Sequence, residues 1–316
     1  MIRSAGDEMG FKIRTYEREE DYWKLREFLR EVFKANGLRE YSWHLARLDY
    51  WRWHIMENCL KIDSLNDCIF FWEDSNDRIV AAVNRDGTGE AHLQVHPSFD
   101  CEELEEEMLE VSERNLFSEK DGLRSLWVFT DSQDKRRIDI LKRRGYSQGD
   151  WPEHQHRRDL SGQIAEVYIP EGFDIRSLGT AEELPSRSWA SWRAFHPNEP
   201  DEKYEGWEWY LNIQKQPMYR RDLDIVAVAP DGEIAGFCTI WYDDVTRTAC
   251  YEPVGVMPEY HKRGLGKAML TEGLHRLKRM GAVRVFVGGY STAANALYDS
   301  AVSPVCDLNE PWLKKF

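Results

Sequence analysis

Residues 261–267, His-Lys-Arg-Gly-Leu-Gly-Lys, place four basic side chains around two glycines one residue apart. A helix N-terminus offers unpaired N–H groups and a partial positive charge, and glycine at its entry lets backbone approach a phosphate closely. Gly264 and Gly266 would remove side chains that block that approach, while His261, Lys262, Arg263 and Lys267 add charge. A bare G-x-G also occurs as a plain strand-to-helix turn with solvated basic residues, so the surrounding chain must decide. With 56 acidic and 42 basic residues the formal charge is -14, which makes a concentrated basic loop unusual here. The same charge argues against a nucleic-acid partner.

The elements that would position this loop are legible around it. Residues 225–229 and 234–241 read as strands separated by Pro230-Asp231-Gly232, and residues 248–256 as another. Apolar Leu270, Leu274 and Leu277 recur at helical spacing over residues 264–280. Gly281 sits where a helix C-terminal glycine belongs, and residues 283–287 follow as a β-branched strand. The result is a strand, helix, strand unit, the geometry of a parallel pair joined by a right-handed crossover.

The chain also repeats itself. VHPSFDCEELEEEML at residues 95–109 aligns without a gap on VMPEYHKRGLGKAML at residues 256–270, an offset of 161 (256 - 95). GFKIR at residues 10–14 matches GFDIR at 172–176, and Trp51-Arg52-Trp53 answers Trp207-Glu208-Trp209. Collinear matches across both halves predict two tandem copies of a domain of about 150 residues. The expected division is residues 11–160, a linker at 161–171 marked by Gly162 and Pro170, and residues 172–316.

The run V-x-V-x-P-x-Y-x-x-R-G-L-G-K-A-M-L in residues 254–270 resembles the acyl-CoA signature of the GNAT superfamily of N-acyltransferases, with His261 where the family has Gln or Arg. Ser291-Thr292-Ala293-Ala294-Asn295-Ala296-Leu297-Tyr298 is similar to the family's N-x-x-A-x-x-L-Y helix, with Ser291 in place of Asn. The usual Gly-Phe after it is replaced by Ala301-Val302, so the final strands are expected to deviate. The resemblance implies a mixed α/β (α+β) fold: two tandem GNAT-like domains, each a mostly antiparallel twisted sheet with a central splayed parallel pair, flanked by helices. It implies acetyl-CoA or another acyl-CoA as cosubstrate. Its pyrophosphate would lie on His261, Lys262, Arg263, Gly264, Leu265, Gly266 and Lys267, with Ser291 and Asn295 near the cofactor. Its pantetheine arm would pair with Val254, Gly255 and Val256. Gly255 suits a close backbone approach, and Pro253, which cannot donate to a ladder, must face a gap, bulge or edge.

Transfer from a thioester to an amine needs an uncharged amine, a stabilised oxyanion and a proton for the departing thiolate. The resemblance puts Tyr298 in the role of general acid, against the alternative of a tyrosine that only packs on CoA. For the base Glu252 is favoured, directly or through water, against the alternative of a strand-edge carboxylate in an ion pair; Asp243, Asp244 and His196 are reserves. The function implied is N-acyl transfer to a primary amine by direct attack in a ternary complex, in the C-terminal copy. The alternative is an acyl-CoA sensor or interaction module without catalysis. The acceptor is expected in residues 185–219, where aromatic residues and carboxylates would suit a cationic small-molecule or peptide amine, although most of these aromatics read as core. In the first copy the loop reads Asp100-Cys101-Glu102-Glu103-Leu104-Glu105-Glu106, and Lys142 stands where Tyr298 stands. That copy is expected to bind no acyl-CoA and to wall the acceptor site or stabilise the second copy.

No apolar run approaches the roughly 18 to 20 residues of a membrane span, and residues 1–10 lack a signal-peptide pattern. A soluble, cytoplasmic protein is expected, with no membrane partner. The six cysteines show no two-residue spacing of a zinc or redox motif, so no metal is expected and the thiols are read as reduced.

Overall fold

The computed structural model describes residues 10–316; residues 1–9 lie outside it, and with them most of the segment read for a signal peptide. The first half runs β1 (Lys12–Thr15), α1 (Glu19–Ala35), α2 (Leu45–Tyr50), a π-helical stretch (Trp51–Cys59), β2 (Ile69–Glu73), β3 (Ile79–Asn84), β4 (Glu90–Val95), α3 (Glu102–Asn115), β5 (Ser118–Lys120), β6 (Leu123–Asp131), α4 (Lys135–Arg143), β7 (Ser147–Gln148) and β8 (Glu153–Asp159). The second runs β9 (Asp174–Ser177), α5 (Leu184–Phe195), α6 (Tyr210–Gln214), β10 (Asp224–Val228), β11 (Ile234–Asp243), β12 (Thr248–Val256), α7 (Leu265–Met280), β13 (Arg284–Gly289), α8 (Thr292–Ala301) and β14 (Cys306–Lys315). Apart from the short β5 and β7, the two halves share one order of strands and helices. The stretch between β8 and β9 has no helix or strand, as its glycine and proline predict.

Contacts divide the chain differently from the sequence repeat. One compact unit gathers the residues up to Trp51, Ile55–Glu153 and Asp307–Phe316; the other gathers Arg52–His54 and His154–Cys306. In this division the two halves exchange their final strands. In the first unit the sheet order is β1-β2-β3-β4-β6-β14, and β14 lies antiparallel on β6 from Asn309↔Asp131 to Lys315↔Ser125. In the second it is β9-β10-β11-β12-β13-β8, and β8 lies antiparallel on β13 from Asp159↔Arg284 to His154↔Gly289. A β-sheet edge accepts any strand of suitable pattern, and each unit takes the one that leaves the other half of the chain.

Each unit is a mixed α/β layer structure with a mostly antiparallel sheet and a single parallel pair. That pair is β4–β6 in the first and β12–β13 in the second. In the second unit α7 packs Leu270, Leu274 and Leu277, all fully buried, into a cluster with Ile225, Ile240 and Val285. Each such leucine contributes about 1.5–3 kcal/mol of burial. The helix ends at Gly281, whose φ of 85° only glycine adopts without strain. The six cysteines are free thiols. Among the described residues no helix is long and apolar enough to cross a membrane.

Candidate active site

The parallel pair at the centre of the second unit is short. β12 meets β13 only at Thr248↔Arg284, Ala249↔Val285 and Cys250↔Phe286, and beyond Cys250 the strands part. Glu252 and Pro253 occupy the parted segment, and against β11 the register shifts there, between Cys238↔Val254 and Ile240↔Tyr251. Pro253 therefore sits at a bulge beside a gap, where a missing N–H costs no ladder bond. The peptide between Glu252 and Pro253 is cis.

Past the bulge, Gly255 is fixed by packing. A Cβ there would overlap the Phe237 ring and come within 3.0 Å of the Ala194 Cβ on α5. Gly255→Ala is expected to lower stability by about 1–3 kcal/mol, the range for overpacking a tight site, read as a lower urea midpoint. Sequence reasoning offered close approach as one reason for this glycine; the nearest body is the Phe237 ring of β11, followed by Ala194 of α5.

The strand leads through a 3-10 turn (Pro258–Tyr260) into the glycine loop. His261 Nε2 lies 2.9 Å from the Val256 carbonyl oxygen, and Arg263 leans over the Tyr260 and Phe173 rings. Lys262 and Gly264 both take positive φ, 60° and 87°, which turns the chain sharply into α7. The first N–H groups of a helix have no intrahelical acceptor, and the first turn of α7 holds no acidic residue to occupy them. Gly264 is exposed with open space around it, whereas a Cβ on Gly266 would crowd Leu297 at 3.0 Å. The first glycine serves the turn and the second the packing of α7 on α8.

A cleft of about 560 Å³ joins these parts. Val254, Gly255 and Val256 line it on one side, His261, Lys262 and Gly264 to Lys267 at one end, and Ala293, Ala294, Leu297 and Tyr298 of α8 opposite. Ala194 and Phe195 at the end of α5 complete it; Ala194 carries no sequence signal, and Phe195 lies within residues 185–219, where the acceptor is expected. Arg263, Ser291, Asn295 and Glu252 are not among the described lining residues. Ser291 caps α8, its hydroxyl accepting from the Ala294 N–H at 3.1 Å.

Tyr298 is 7% exposed, and burial raises its phenol pKa well above the usual value, with Cys238, Glu252 and Cys250 adding to the rise. Behind it stands His156 of β8, fully enclosed, with its ring edge-on to Tyr298 at 5.7 Å between centroids. Its Nε2 lies 3.2 Å from Asn295 Oδ1 and its Nδ1 3.0 Å from the Ser303 carbonyl oxygen. Gly289 makes room, since a Cβ there would overlap Asn295 and sit 3.0 Å from the Tyr298 ring. His156 was missed from sequence because β8 precedes the linker. Glu252 is half-buried, and its carbonyl oxygen accepts from the Trp241 indole N–H.

Of the reserve bases, Asp243 accepts from the Thr246 N–H and hydroxyl in the β11–β12 turn, at the far end of β12 from the loop. His196 caps α5 and stacks on Trp192. The aromatics of residues 185–219 divide: Trp189 and Trp192 stack on one another with Tyr204 against both. Tyr210, buried, and Tyr219, partly buried, donate to Asp224, which also meets the buried Arg187. That part of the region is core.

In the first unit the equivalent helix α3 is built the opposite way. Its first turn carries Glu102, Glu103 and Glu105. Glu105, aligned with Gly266, is buried and receives both Arg137 Nε and Nη2 of α4, at 3.1 and 2.9 Å. Arg143 reaches Glu102, and Arg144 reaches Glu106. The protein's own carboxylates thus hold the end of the helix where an anion would sit.

Residues 183–301 match the acetyltransferase (GNAT) family. A mycothiol acetyltransferase from Streptomyces griseus is 30% identical over 155 residues, 46% of this chain and 48% of that protein. The chain thus spans about half the length of that relative. Another, from Paenarthrobacter aurescens, is 26% identical over 232 residues, 69% of this chain and 68% of that one. Among solved structures, a GCN5-related N-acetyltransferase from Sphaerobacter thermophilus superposes with a TM-score of 0.65 at 17% identity, covering 96% of this chain and 95% of that one. A tandem GNAT protein from the clavulanic acid biosynthesis pathway superposes at 0.61 with 13% identity, over 96% and 98%. The structural neighbours establish a fold shared with tandem GNAT proteins.

Proposed function

We propose that this chain, which carries a GNAT acetyltransferase domain within its second half, moves an acetyl or other acyl group from acyl-CoA to a primary amine by direct attack in a ternary complex. The observation that carries this reading is the single cleft running from the bulged end of β12 to a helix N-terminus free of carboxylates, with Tyr298 in its wall. Backbone N–H groups from Gly264 to Lys267 would hold the pyrophosphate, with Lys262 and Lys267 adding charge. His261, its ring engaged with the Val256 carbonyl, would contribute backbone. The pantetheine arm would pair along Val254, Gly255 and Val256, bringing the thioester to the gap between β12 and β13. Tyr298 would protonate the departing sulfur, and Glu252 would take the amine proton directly or through water. Asn295 and Ser291 would act at one remove, by fixing His156 and capping α8.

A non-catalytic acyl-CoA sensor is the second reading, favoured by the departures at His261 and Ser291. Thiol release with acetyl-CoA and a panel of aminoglycosides, polyamines, peptide N-termini and mycothiol-related amines separates the two. Turnover with any of them supports catalysis, and binding without turnover supports the sensor. The catalytic copy is residues 172–316, and the first copy, residues 11–160, binds no acyl-CoA. Calorimetry is expected to give one acyl-CoA per chain, and two would overturn this assignment. Lys267→Glu, at an exposed position, is expected to weaken acyl-CoA binding at least tenfold without lowering the melting temperature. It places a like charge at the phosphate, as in the first copy.

A further inference from the structure

The geometry points to a divalent metal site in the first unit, formed by Asp86, Glu90 and His92, with Zn²⁺ as the ion that fits it. One donor atom from each of the three side chains lies within 4.8 Å of the others, at the turn between β3 and β4 and the start of β4. Glu90 and His92 are two residues apart on one strand and so share a face. A cluster of carboxylates alone would mean little. The distinguishing group is His92, 4% exposed, whose Nε2 is buried and has no hydrogen-bond partner among the described residues. That nitrogen points toward Asp86 Oδ2, at 3.8 Å. A buried polar atom without a partner costs about 1–3 kcal/mol, and a metal bond is one way to satisfy it.

The imidazole is held in place for ligation. Its ring stacks on Phe129 at 4.6 Å and leans against Trp43 at 4.9 Å. Neutral imidazole, with a lone pair available, is the state that binds metal. The charge around it also suits a cation. Arg47 bridges Asp86 Oδ2 and Glu153 Oε2 at 3.1 and 2.9 Å. Glu90 adds a third carboxylate. Two guanidiniums, Arg47 and Arg85, face these three carboxylates, and Arg137 near the ring is paired with Glu105, so one negative charge is left in excess (3 - 2). One imidazole nitrogen and two carboxylate oxygens, with water completing four-coordination, is a donor set zinc accepts. Donors about 2.0–2.2 Å from a tetrahedral ion lie about 3.3 Å apart, so side-chain rotation has to close the present spacing. No cysteine motif announced this site, because its ligands come from a turn and a strand that only folding aligns.

The test uses the full chain, stripped by chelator and titrated with Zn²⁺ and with Co²⁺. Wild type is expected to bind one equivalent and to melt at a higher temperature with Zn²⁺ present. The Co²⁺ form should show visible bands of a four-coordinate nitrogen and oxygen site, without an intense thiolate charge-transfer band. Asp86→Asn and His92→Gln should each weaken binding at least tenfold and remove the melting shift. Absence of binding, a thiolate band, or undiminished binding in both variants would overturn the assignment. If either variant fails to fold, the Co²⁺ spectrum and stoichiometry of wild type decide.

Discussion

Tyr298→Phe is expected to lower kcat about 10²- to 10³-fold while leaving the KM for acyl-CoA nearly unchanged, the range for loss of one positioned proton donor. Phenylalanine keeps the ring that packs edge-on to His156 and fills the wall beside Leu297. Only the hydroxyl is lost, so the fold should persist. The pH profile gives a second reading. Tyr298 acts as an acid in its protonated form, and burial raises the pKa of that phenol. Activity dependent on it is thus fully present at neutral pH and is lost only as pH rises through the raised value, beyond the range of a free phenol. Thiol release followed from neutral to alkaline pH should show little decline in wild type, and a flat, low rate in the variant. An unchanged kcat would leave Tyr298 as cleft packing, and Glu252→Gln would then decide whether any proton transfer in the site is protein-assisted.

What sequence could show about this unit was local. β12 was readable because Thr248, Tyr251, Val254 and Val256 favour strand and the glycine loop follows, and α7 was readable because its leucines recur at helical spacing and Gly281 ends it. The glycine loop was found, but its two glycines have separate physical reasons. Gly264 turns the chain at positive φ, and Gly266 admits Leu297. Ser291 resembled a cofactor residue by motif, yet a serine before a helix is equally a cap, and its hydroxyl bonds the Ala294 N–H. Non-local features left no trace in spacing. The polar run Glu-His-Gln-His-Arg-Arg-Asp of β8 reads as a surface segment, and no periodicity states that it will pair with a strand 125 positions further on (284 - 159). Likewise, Arg187 and Asp224 become a buried pair only when α5 packs on β11, the neighbour of β10.

A fragment cut at the linker, residues 172–316, is expected to lose cooperative folding and acyl-CoA binding, whereas residues 150–306 should retain both in part. The reasoning starts from β13, which in the intact chain pairs with β8 at six consecutive positions, Arg284↔Asp159 to Gly289↔His154. Removing β8 exposes that edge of the sheet, deletes His156 from behind Tyr298 and leaves the His156 contacts of Asn295 and the Ser303 carbonyl unmade. Each lost ladder bond contributes about 0.5–1.5 kcal/mol. Together with the buried imidazole, their sum approaches the whole stability of a domain, about 5–15 kcal/mol. The same cut keeps β14, whose ladder partner β6 has been removed, so the seven positions Asn309 to Lys315 lose that pairing. Residues 150–306 reverse both faults, restoring β8 and omitting most of β14. Near-ultraviolet circular dichroism, urea midpoints and acyl-CoA calorimetry on the two fragments measure the difference. Should residues 172–316 alone unfold cooperatively and bind acyl-CoA as tightly as the full chain, the strand supplied from before the linker would have no part in holding the site.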